Sequence, residues 1–514
     1  MISLAKIPHT RLIMDGRGTN CCSFDYSLAS SSLFYFIGLV FFGLLCGVKV
    51  SAATGGQAEQ AFAVFGESIK QVQIINAKSE NKSGSGSGFY IGDGSLMATN
   101  YHVVSAAVME KEEYRLQLNI EGDVENLTIL AVDVVNDLAI VAVEKPGRPL
   151  KFRETQPAKG EKMFSIGNPR NIGMTIVEGN YNGLADDYIF DRIHFAGAIN
   201  AGMSGGPTID ADGLVTGINV QTGGNQIGFL VPVDKLAQLY QRLQEQQKIT
   251  DAISPDTKSN TAIALEVESA DDIVETEVAT AENEPSAVNE ELTNLDEAAS
   301  KSDGASSQVE EHRYKHLQES IAEQVLSATG GIIGELLSNP WPTADMAGAT
   351  VLGKIGAGFD CWGNSHEDEK THVLTVNKGC NSRQPIYLSH RFNTGYFEYE
   401  FSLIEAEGWS SYAFYNLASQ QFSSAKPSTS AGKDNVANFN CIEKNIEERG
   451  VLQQRVAFCT RPYKELKKLY DALYIGVSVS QENKALMEHF FIAGVSQSDA
   501  QLFLQNFIGQ ASFK

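Results

Sequence analysis

The chain is short of positive charge. It has 40 Lys and Arg residues against 63 Asp and Glu residues, which gives a formal net charge of -23 at pH 7. Binding to the phosphates of a nucleic acid depends on clustered Lys and Arg side chains. The composition therefore argues against DNA or RNA as a partner.

Proline and long apolar runs are also scarce, and glycine is far below the one-third share of a collagen. There are 14 prolines and 46 glycines among 514 residues, and the main apolar run, Leu33 to Val48, has only sixteen residues. These values exclude a collagen-like chain, a fully disordered chain and a polytopic membrane protein. Hydrophobic residues make up 43% of the chain, which is enough for more than one core. The length suggests about three domains.

The N-terminal segment has the features of an export signal. Its uncharged apolar run follows Lys6, Arg11 and Arg17 and ends at Ser51-Ala52-Ala53, where small residues suit cleavage after Ala53. We interpret residues 1–53 as a signal peptide or, as the alternative, an uncleaved N-terminal anchor. In both cases the rest of the chain lies outside the cytoplasm, and the bacterial periplasm is the expected compartment.

The seven cysteines agree with export. Three fall in the N-terminal segment, and the other four lie in the last third of the chain: Cys361, Cys380, Cys441 and Cys459. Four cysteines allow three pairings, and we predict pairing of nearest neighbours, Cys361 with Cys380 and Cys441 with Cys459. An oxidising compartment would keep such pairs. Buried free thiols are the alternative.

Residues 57–248 are predicted to form an all-β domain. Short apolar runs separated by Gly, Asn, Asp and Pro are typical of a barrel or sandwich; they are 71–76, 88–91, 116–120, 139–143, 162–166, 214–220 and 228–231. A short helix is expected over 58–69. A second helix, with the apolar spacing of residues 233–247, is expected to close the domain.

The rest of the chain divides by composition. Residues 251–311 hold 17 Asp or Glu but only two Lys, so we interpret 249–308 as a disordered acidic linker. Residues 309–338 are predicted to form a helical connector interrupted at Gly330-Gly331. Residues 339–514 are predicted to form a Cys-containing α+β domain of unknown type, with a strand at 395–401 and helices near 463–474, 484–491 and 499–507.

Three segments of the all-β domain contain the residue types needed to hydrolyse an amide. His102 follows an apolar strand, Asp137 precedes one, and Ser204 stands between Gly202 and Gly205-Gly206. Amide hydrolysis needs a nucleophile, a base and donors for the oxyanion. Ser204 is the candidate nucleophile, His102 the base, and Asp137 the group that orients the imidazole. The N–H groups of Gly202 and Ser204 are the candidate oxyanion hole.

Each segment alone has an ordinary structural explanation, since a Gly-x-Ser-Gly-Gly string is often a turn and a His after a strand is often a surface residue. The three together, in the order His, Asp, Ser and separated by 35 and 67 positions within one exported β domain, favour a catalytic triad.

Residues 57–245 resemble the trypsin-like serine protease domain of the HtrA/Deg family. The resemblance rests on these segments: 86–89 (GSGF), 99–104 (TNYHVV), 137–139 (DLA), 165–169 (SIGNP), 199–207 (INAGMSGGP), 217–219 (GIN) and 227–232 (IGFLVP). It implies a double β-barrel with His102, Asp137 and Ser204 in the cleft between the barrels. It implies neither a metal nor an organic cofactor. No PDZ domain is recognisable after residue 245.

Two departures from the family pattern concern the site. Ala201 and Met203 stand where the family often has Pro and Asn, and we expect Met203 to point away from the nucleophile. Ala198, six residues before Ser204, is expected at the base of the substrate pocket, with Ile199 and Asn219 beside it. A small neutral residue there argues against cleavage after Lys or Arg and favours small or medium aliphatic residues.

We therefore predict an exported serine endopeptidase that acts on unfolded or specific protein substrates. The alternative is a catalytically weak protease fold that serves as a binding or chaperone module through its C-terminal domain. A third hypothesis is autoinhibition, with the linker or terminal domain folded over the cleft. The expected partners are protein or peptide substrates, a membrane only through the N-terminal anchor, and other copies of the chain if it forms a homo-oligomer.

Overall fold

The computed structural model describes residues 56–120, 122–186, 188–253, 290–424, 431–446, 453–480 and 482–514. The predicted signal or anchor segment and most of the predicted acidic linker lie outside these ranges. Within them, no helix combines the length and apolar character needed to cross a membrane.

A helix and an antiparallel sheet begin the described chain. Helix α1 (Gln57–Phe65) precedes a seven-stranded sheet with the order β5-β4-β1-β2-β3-β7-β6. Its strands are β1 (Ile69–Asn76), β2 (Lys82–Ile91), β3 (Leu96–Thr99), β4 (Tyr114–Ile120), β5 (Asp123–Asn126), β6 (Thr128–Asp133) and β7 (Leu138–Ala142). Helix α2 (Tyr101–Met109) connects β3 to β4. It buries Val104 and Val108 against this sheet.

The second β unit is a closed barrel with the strand order β10-β13-β12-β11-β8-β9. Its strands are β8 (Lys162–Gly167), β9 (Thr175–Leu184), β10 (Ile193–Phe195), β11 (Pro207–Ile209), β12 (Val215–Gly224) and β13 (Ile227–Pro232). Helix α3 (Val233–Ile253) follows β13. The buried residues Leu236, Leu239 and Leu243 give α3 its apolar stripe, which matches the helical spacing seen in the sequence.

Strand β7 explains why its sequence is apolar without alternation. Successive side chains of a strand point to opposite faces. Ala139 and Val141 enter the core beneath α2, whereas Leu138 and Ile140 enter the core shared with the closed barrel. Both faces are therefore buried, and Asp137, the residue before the strand, is placed where the two β units meet.

The C-terminal half begins with a long helix. Helix α4 (Glu290–Leu337) covers the end of the predicted acidic linker and nearly all of the predicted connector. It runs through Gly330-Gly331 without interruption, although each glycine disfavours a helix by about 1 kcal/mol. Tertiary contacts offset this cost, since Thr329 is buried and donates a hydrogen bond to the carbonyl of Gly494 at 3.0 Å.

Helix α4 leads into three sheets. A seven-stranded antiparallel sheet has the order β16-β17-β20-β24-β23-β22-β21; its strands are β16 (Phe359–Asp368), β17 (Val373–Ser382), β20 (Phe397–Ala406), β21 (Asn440–Ile446), β22 (Gln454–Pro462), β23 (Tyr470–Val479) and β24 (Lys484–Val495). The smaller sheets contain β14 (Thr343–Met346), β15 (Ala349–Leu352) and β25 (Ser512–Phe513), and the hairpin of β18 (Ile386–Ser389) and β19 (Phe392–Thr394). Helices α5 (Ser411–Ser424) and α6 (Gln497–Phe507) complete this half.

These elements confirm the α+β class but correct two of the predicted helices. The segment 463–474 is a loop followed by the start of β23 at Tyr470, and the segment 484–491 lies in β24. Only the third predicted helix exists, as α6. Strand β23 is buried along most of its length. A strand that is buried on both faces lacks the two-residue alternation by which strands are recognised. The apolar spacing of β23 is therefore compatible with a helix as well as with a strand.

Both predicted cysteine pairs are present. Cys361 pairs with Cys380 between β16 and β17, and Cys441 pairs with Cys459 between β21 and β22. In each case the two cysteines are directly opposite in the strand register. The two disulfides therefore join the outermost strand pairs at opposite edges of the same sheet.

The first sheet and the C-terminal half share one continuous core. Leu317, Ile321 and Val325 of α4 are buried with Tyr101 of α2 and Leu388 of β18 in the same cluster. Each fully buried aliphatic side chain contributes about 1.5–3 kcal/mol to stability. The C-terminal half is therefore packed on the first β unit as an integral part of the described structure.

Candidate active site

His102 is placed by the start of α2. Asn100 is extended and precedes the helix, and its side chain donates to the carbonyl of Asp137 at 2.8 Å. Tyr101 and Val103, on either side of His102, are buried. The imidazole points away from this core, and 32% of the His102 side-chain surface is exposed to solvent.

Asp137 binds His102 through both carboxylate oxygens. Oδ2 lies 2.7 Å from His102 Nδ1, and Oδ1 accepts the backbone N–H of His102 at 2.8 Å. Asp137 has a φ of 62°, which Asp tolerates better than most residues. The contact leaves the other ring nitrogen of His102 free to act as a base toward a neighbouring group.

The turn before Asp137 is braced from two directions. The side chain of Asp133 accepts the backbone N–H of Asn136 at 3.0 Å and binds Arg242 of α3 at 3.0 Å. From α4, Gln324 accepts the N–H of Val134 and donates to the carbonyl of Val132, at 2.8 and 2.9 Å. The position of the carboxylate is therefore fixed by both the protease unit and the C-terminal half.

Asp137 sets the ionisation of His102. Burial lowers the pKa of the imidazole, but the charge of Asp137 and its hydrogen bond together raise that pKa above the ordinary 6.5. A neutral imidazole is required for a general base. If His102 has that role, kcat/KM should fall as the pH drops through this raised pKa.

The acid limb of the kcat/KM profile is therefore expected to have its midpoint above pH 6.5. The Asp137→Asn variant lacks the negative charge, so its residual activity should show a limb at lower pH. Initial rates on a fluorogenic peptide between pH 5 and 9 test both. A midpoint below 6.5 in the unmodified protein, or an unshifted limb in the variant, would contradict the assignment.

Ser204 lies in a tight turn that two glycines make possible. Gly202 and Gly205 have φ values of 95° and 83°, which favour glycine. A β-carbon at Gly202 would lie 2.4 Å from the carbonyl oxygen of Asn168, and one at Gly205 would lie 2.2 Å from that of Ser87. Both positions therefore exclude any larger residue without a shift of the backbone.

Ser87 of β2 holds this turn. Its backbone N–H donates to the carbonyl of Ser204 at 2.8 Å. Its hydroxyl donates to the carbonyl of Gly202 at 2.7 Å and accepts the N–H of Asn168 at 3.0 Å. The GSG string in the sequence does not indicate this role, because the partners of Ser87 lie more than 80 positions further along the chain.

The Ser204 and His102 segments meet across β2. A β-carbon at Gly86 would lie 2.5 Å from Val103 and 3.1 Å from the carbonyl oxygen of Ser204. The turn that contains Ser204 therefore lies near the helix that carries His102, with Gly86 of β2 between them. Within the described residues no hydrogen bond joins Ser204 to His102, since Ser204 Oγ donates to the carbonyl of Val220 at 3.2 Å. Such contacts are often loose before substrate binds.

Two N–H groups of the Ser204 turn have no partner among the described residues. The N–H groups of Met203, Gly205 and Gly206 all donate to backbone carbonyls. Those of Gly202 and Ser204 do not. Met203 itself is buried in the closed barrel, away from the cleft, as expected from the sequence. The free amides are those that the sequence suggested as oxyanion donors.

The predicted substrate pocket differs in two of its three residues. Asn219 is fully buried, and its side chain binds Ser165, Thr208 and the carbonyl of Met203. Ile199 is 2% exposed and packs in the barrel core. Neither offers a surface to substrate, because both side chains are buried. Ala198 is partly exposed and remains the candidate pocket residue.

A cluster of metal-ligating residue types lies elsewhere. His489 Nε2 is 3.4 Å from Glu398 Oε1 and 3.9 Å from Glu400 Oε2. The cluster forms on the C-terminal sheet because β20 pairs with β24, a pairing of distant segments that local sequence patterns do not indicate. We assign the cluster no metal.

Comparison with known proteins follows the same division of the chain. Residues 86–218 match the family described as "Trypsin-like peptidase domain", which confirms the fold expected for the first domain. The chain is 30% identical over 191 residues to "Protease Do-like 1, chloroplastic" of Arabidopsis thaliana, covering 34% of this chain and 42% of that protein. It is 32% identical over 177 residues to "Serine protease HTRA3" of Homo sapiens, covering 32% and 39%.

A bacterial relative gives a similar match. The "Probable periplasmic serine endoprotease DegP-like" of Bartonella henselae is 31% identical over 176 residues, covering 31% of this chain and 33% of that protein. The chain thus spans about two fifths or less of the length of these relatives. Among solved structures, the active form of the Rv3671c protease from M. tuberculosis has a TM-score of 0.32 and 21% identity, covering 36% of this chain and 83% of that one.

Proposed function

We propose that this chain, which contains a trypsin-like peptidase domain similar to those of HtrA and Deg proteases, is an exported serine endopeptidase. The observation that supports the proposal most is the 2.7 Å contact between His102 Nδ1 and Asp137 Oδ2, near the turn that contains Ser204. Protein or peptide chains are the proposed substrates, and self-association is proposed by analogy with relatives of this type.

The proposed reaction begins with attack by Ser204 Oγ on the scissile carbonyl carbon. His102 accepts the hydroxyl proton, and Asp137 stabilises the imidazolium. The carbonyl oxygen becomes negatively charged and binds the free N–H groups of Gly202 and Ser204. The C–N bond then breaks as His102 gives the proton to the leaving amine, and water hydrolyses the acyl-enzyme by the reverse use of the same groups.

The starting position of Ser204 requires one local movement. Its hydroxyl hydrogen bond to Val220 must break before Oγ can donate to His102. Ser204 is part-buried, and a side-chain rotation is a fast local motion. We propose that substrate binding selects the reactive rotamer.

Specificity is proposed from Ala198. This position offers a small neutral surface, whereas selection of Lys or Arg in a buried pocket needs a paired carboxylate. We therefore propose cleavage after small or medium aliphatic residues.

Export is proposed from three observations. The sequence has a candidate signal segment at 1–53, the C-terminal sheet contains two disulfides, and one relative is named as periplasmic. Disulfides persist mainly in oxidising compartments. The periplasm is the proposed location.

A fluorophosphonate probe tests the proposal directly, because it reacts only with an activated serine. We expect the probe to label the unmodified protein stoichiometrically and not to label the Ser204→Ala variant. Prior protonation of His102 at pH 5 should slow labelling. A folded protein that the probe does not label would refute the proposal and would favour the alternative of a silent protease fold used for binding.

A further inference from the structure

The hairpin of β18 and β19 brings the C-terminal half to the candidate catalytic histidine. Tyr101, next to His102, donates its hydroxyl hydrogen to the carbonyl of Leu388 at 3.0 Å, and Leu388 is fully buried. The ring of Tyr387 meets the imidazole of His102 edge to face, with 6.4 Å between the ring centres. The hairpin is therefore anchored, and its half-buried Tyr387 borders the cleft.

An open pocket begins at this contact. It has a volume of about 1140 Å³ and extends from His102 between the first sheet and the C-terminal half. Ser83, Gly84 and Ile74 contribute to one side, and Tyr387 and Arg391 to the other. The pocket is therefore a composite of both halves of the chain.

The reaction gives this pocket a direction. In the proposed function, which this inference assumes, His102 donates a proton to the leaving amine. The segment after the scissile bond must therefore leave along the His102 side of the cleft. Ala198, the candidate residue for the acyl side, belongs to the segment before Ser204 in the second β unit and does not line the pocket.

We infer that the composite pocket binds the substrate residues that follow the scissile bond, with Tyr387 as a specificity-determining wall for the first of them. The inner surface beside Tyr387 contains the apolar side chains of Ile74, Val103 and Met109. An aliphatic or aromatic residue directly after the scissile bond suits this surface.

The outer part of the pocket is acidic. Among its described lining residues, five carboxylates face three Lys or Arg side chains; the carboxylates are Glu110, Glu112, Glu113, Asp434 and Glu465, and the cations are Lys111, Arg391 and Lys433. Lys111 is also paired with Glu311 of α4. The pocket therefore favours Lys or Arg at the positions after the first one.

Acyl transfer measures binding on this side separately from the first chemical step. A peptide ester forms the acyl-enzyme, and an added amine such as leucinamide competes with water for it. For Tyr387→Ala we expect the ratio of aminolysis to hydrolysis with leucinamide to fall about tenfold, the loss that follows from one large apolar contact. Tyr387→Phe should retain the ratio because it retains the ring. Tyr412→Ala, which removes a 79% exposed tyrosine outside the pocket, is the matched control.

The acidic rim provides a second test that leaves the core packing unchanged. Glu112 and Glu113 are exposed, and their replacement by Lys should lower the preference for Leu-Arg-amide over Leu-Ala-amide about two- to fivefold, as expected for surface charges. The double variant Glu367→Lys/Glu369→Lys, an equal charge change at exposed positions outside the pocket, should leave the preference unchanged.

Fluorophosphonate labelling separates the two proposals. The predicted changes in the ratios, in variants that keep the melting temperature of the unmodified protein and still react with the probe, support the inference. Normal labelling with unchanged ratios in both tests overturns the inference and leaves the proposed function standing. If the unmodified protein is not labelled, the proposed function and the inference that assumes it are both overturned. If Tyr387→Ala alone is not labelled because it misfolds, the change in preference for Leu-Arg-amide in the Glu112 and Glu113 variants tests the inference.

Discussion

Replacing Ser204 by Ala is expected to lower kcat on unfolded casein by a factor of roughly 10⁶, the loss typical of removing a catalytic serine. The contacts that hold its turn are made by backbone atoms, including the carbonyl that accepts the N–H of Ser87. Alanine preserves them, so the variant should fold with an unchanged melting temperature. The loss of activity would then report the missing nucleophile alone.

The comparison needs a control at a serine outside the cleft. Ser419 is exposed on α5, and Ser419→Ala should keep full activity. Casein cleavage at an undiminished rate by Ser204→Ala would mean that another group is the nucleophile.

If Asp137 orients His102 as proposed, replacing Asp137 by Asn is expected to lower kcat by about 10⁴-fold at neutral pH, the loss known for a Ser-His-Asp triad. Asp137 accepts two hydrogen bonds from His102, one with each oxygen. Asn has a single acceptor oxygen and can keep only one of them. Either the backbone contact or the orientation of the imidazole is lost.

The fold should survive this change, because Asn also tolerates the positive φ of the position. Steady-state rates at pH 8, with a circular dichroism melt of each variant, provide the measurement. Asp212→Asn, at an exposed position, is the control. A loss of less than tenfold in a folded Asp137→Asn variant would argue that the carboxylate does not orient His102.

Local sequence signals were sufficient for part of the first domain. Short apolar runs bounded by turn residues predicted β1, β2, β4, β7, β8, β12 and β13, but not the other six strands or helix α2. The Gly-rich string around Ser204 predicted a turn that favours glycine. His102 and Asp137 could be assigned because each adjoins an apolar strand. In all three cases the relevant physics, hydrophobic periodicity and backbone conformation, acts over a few residues.

Features that depend on distant pairing could not be predicted. The support of the Ser204 turn by Ser87, and of the Asp137 turn by Gln324, joins residues more than 80 positions apart. Asn219 was expected to line the substrate pocket. In the structure its side chain instead accepts hydrogen bonds from Ser165 and Thr208 inside the barrel. The sequence alone could not indicate which polar group would be buried.

The C-terminal half is where local reasoning was weakest. Strands β23 and β24 are buried on both faces along most of their length, so periodicity could not separate them from helices. The place of Tyr387 beside His102 depends on how a hairpin packs on a helix from the other half of the chain.

The continuous core also bears on how such a protein can evolve. Ile321 and Val325 of α4 complete the hydrophobic packing beneath α2, so a gene fragment encoding only residues 57–248 would leave that surface open to water. Exchange of either half for an unrelated domain would therefore expose this apolar surface. Substitutions in α4 must instead be matched by substitutions in the sheet that it covers.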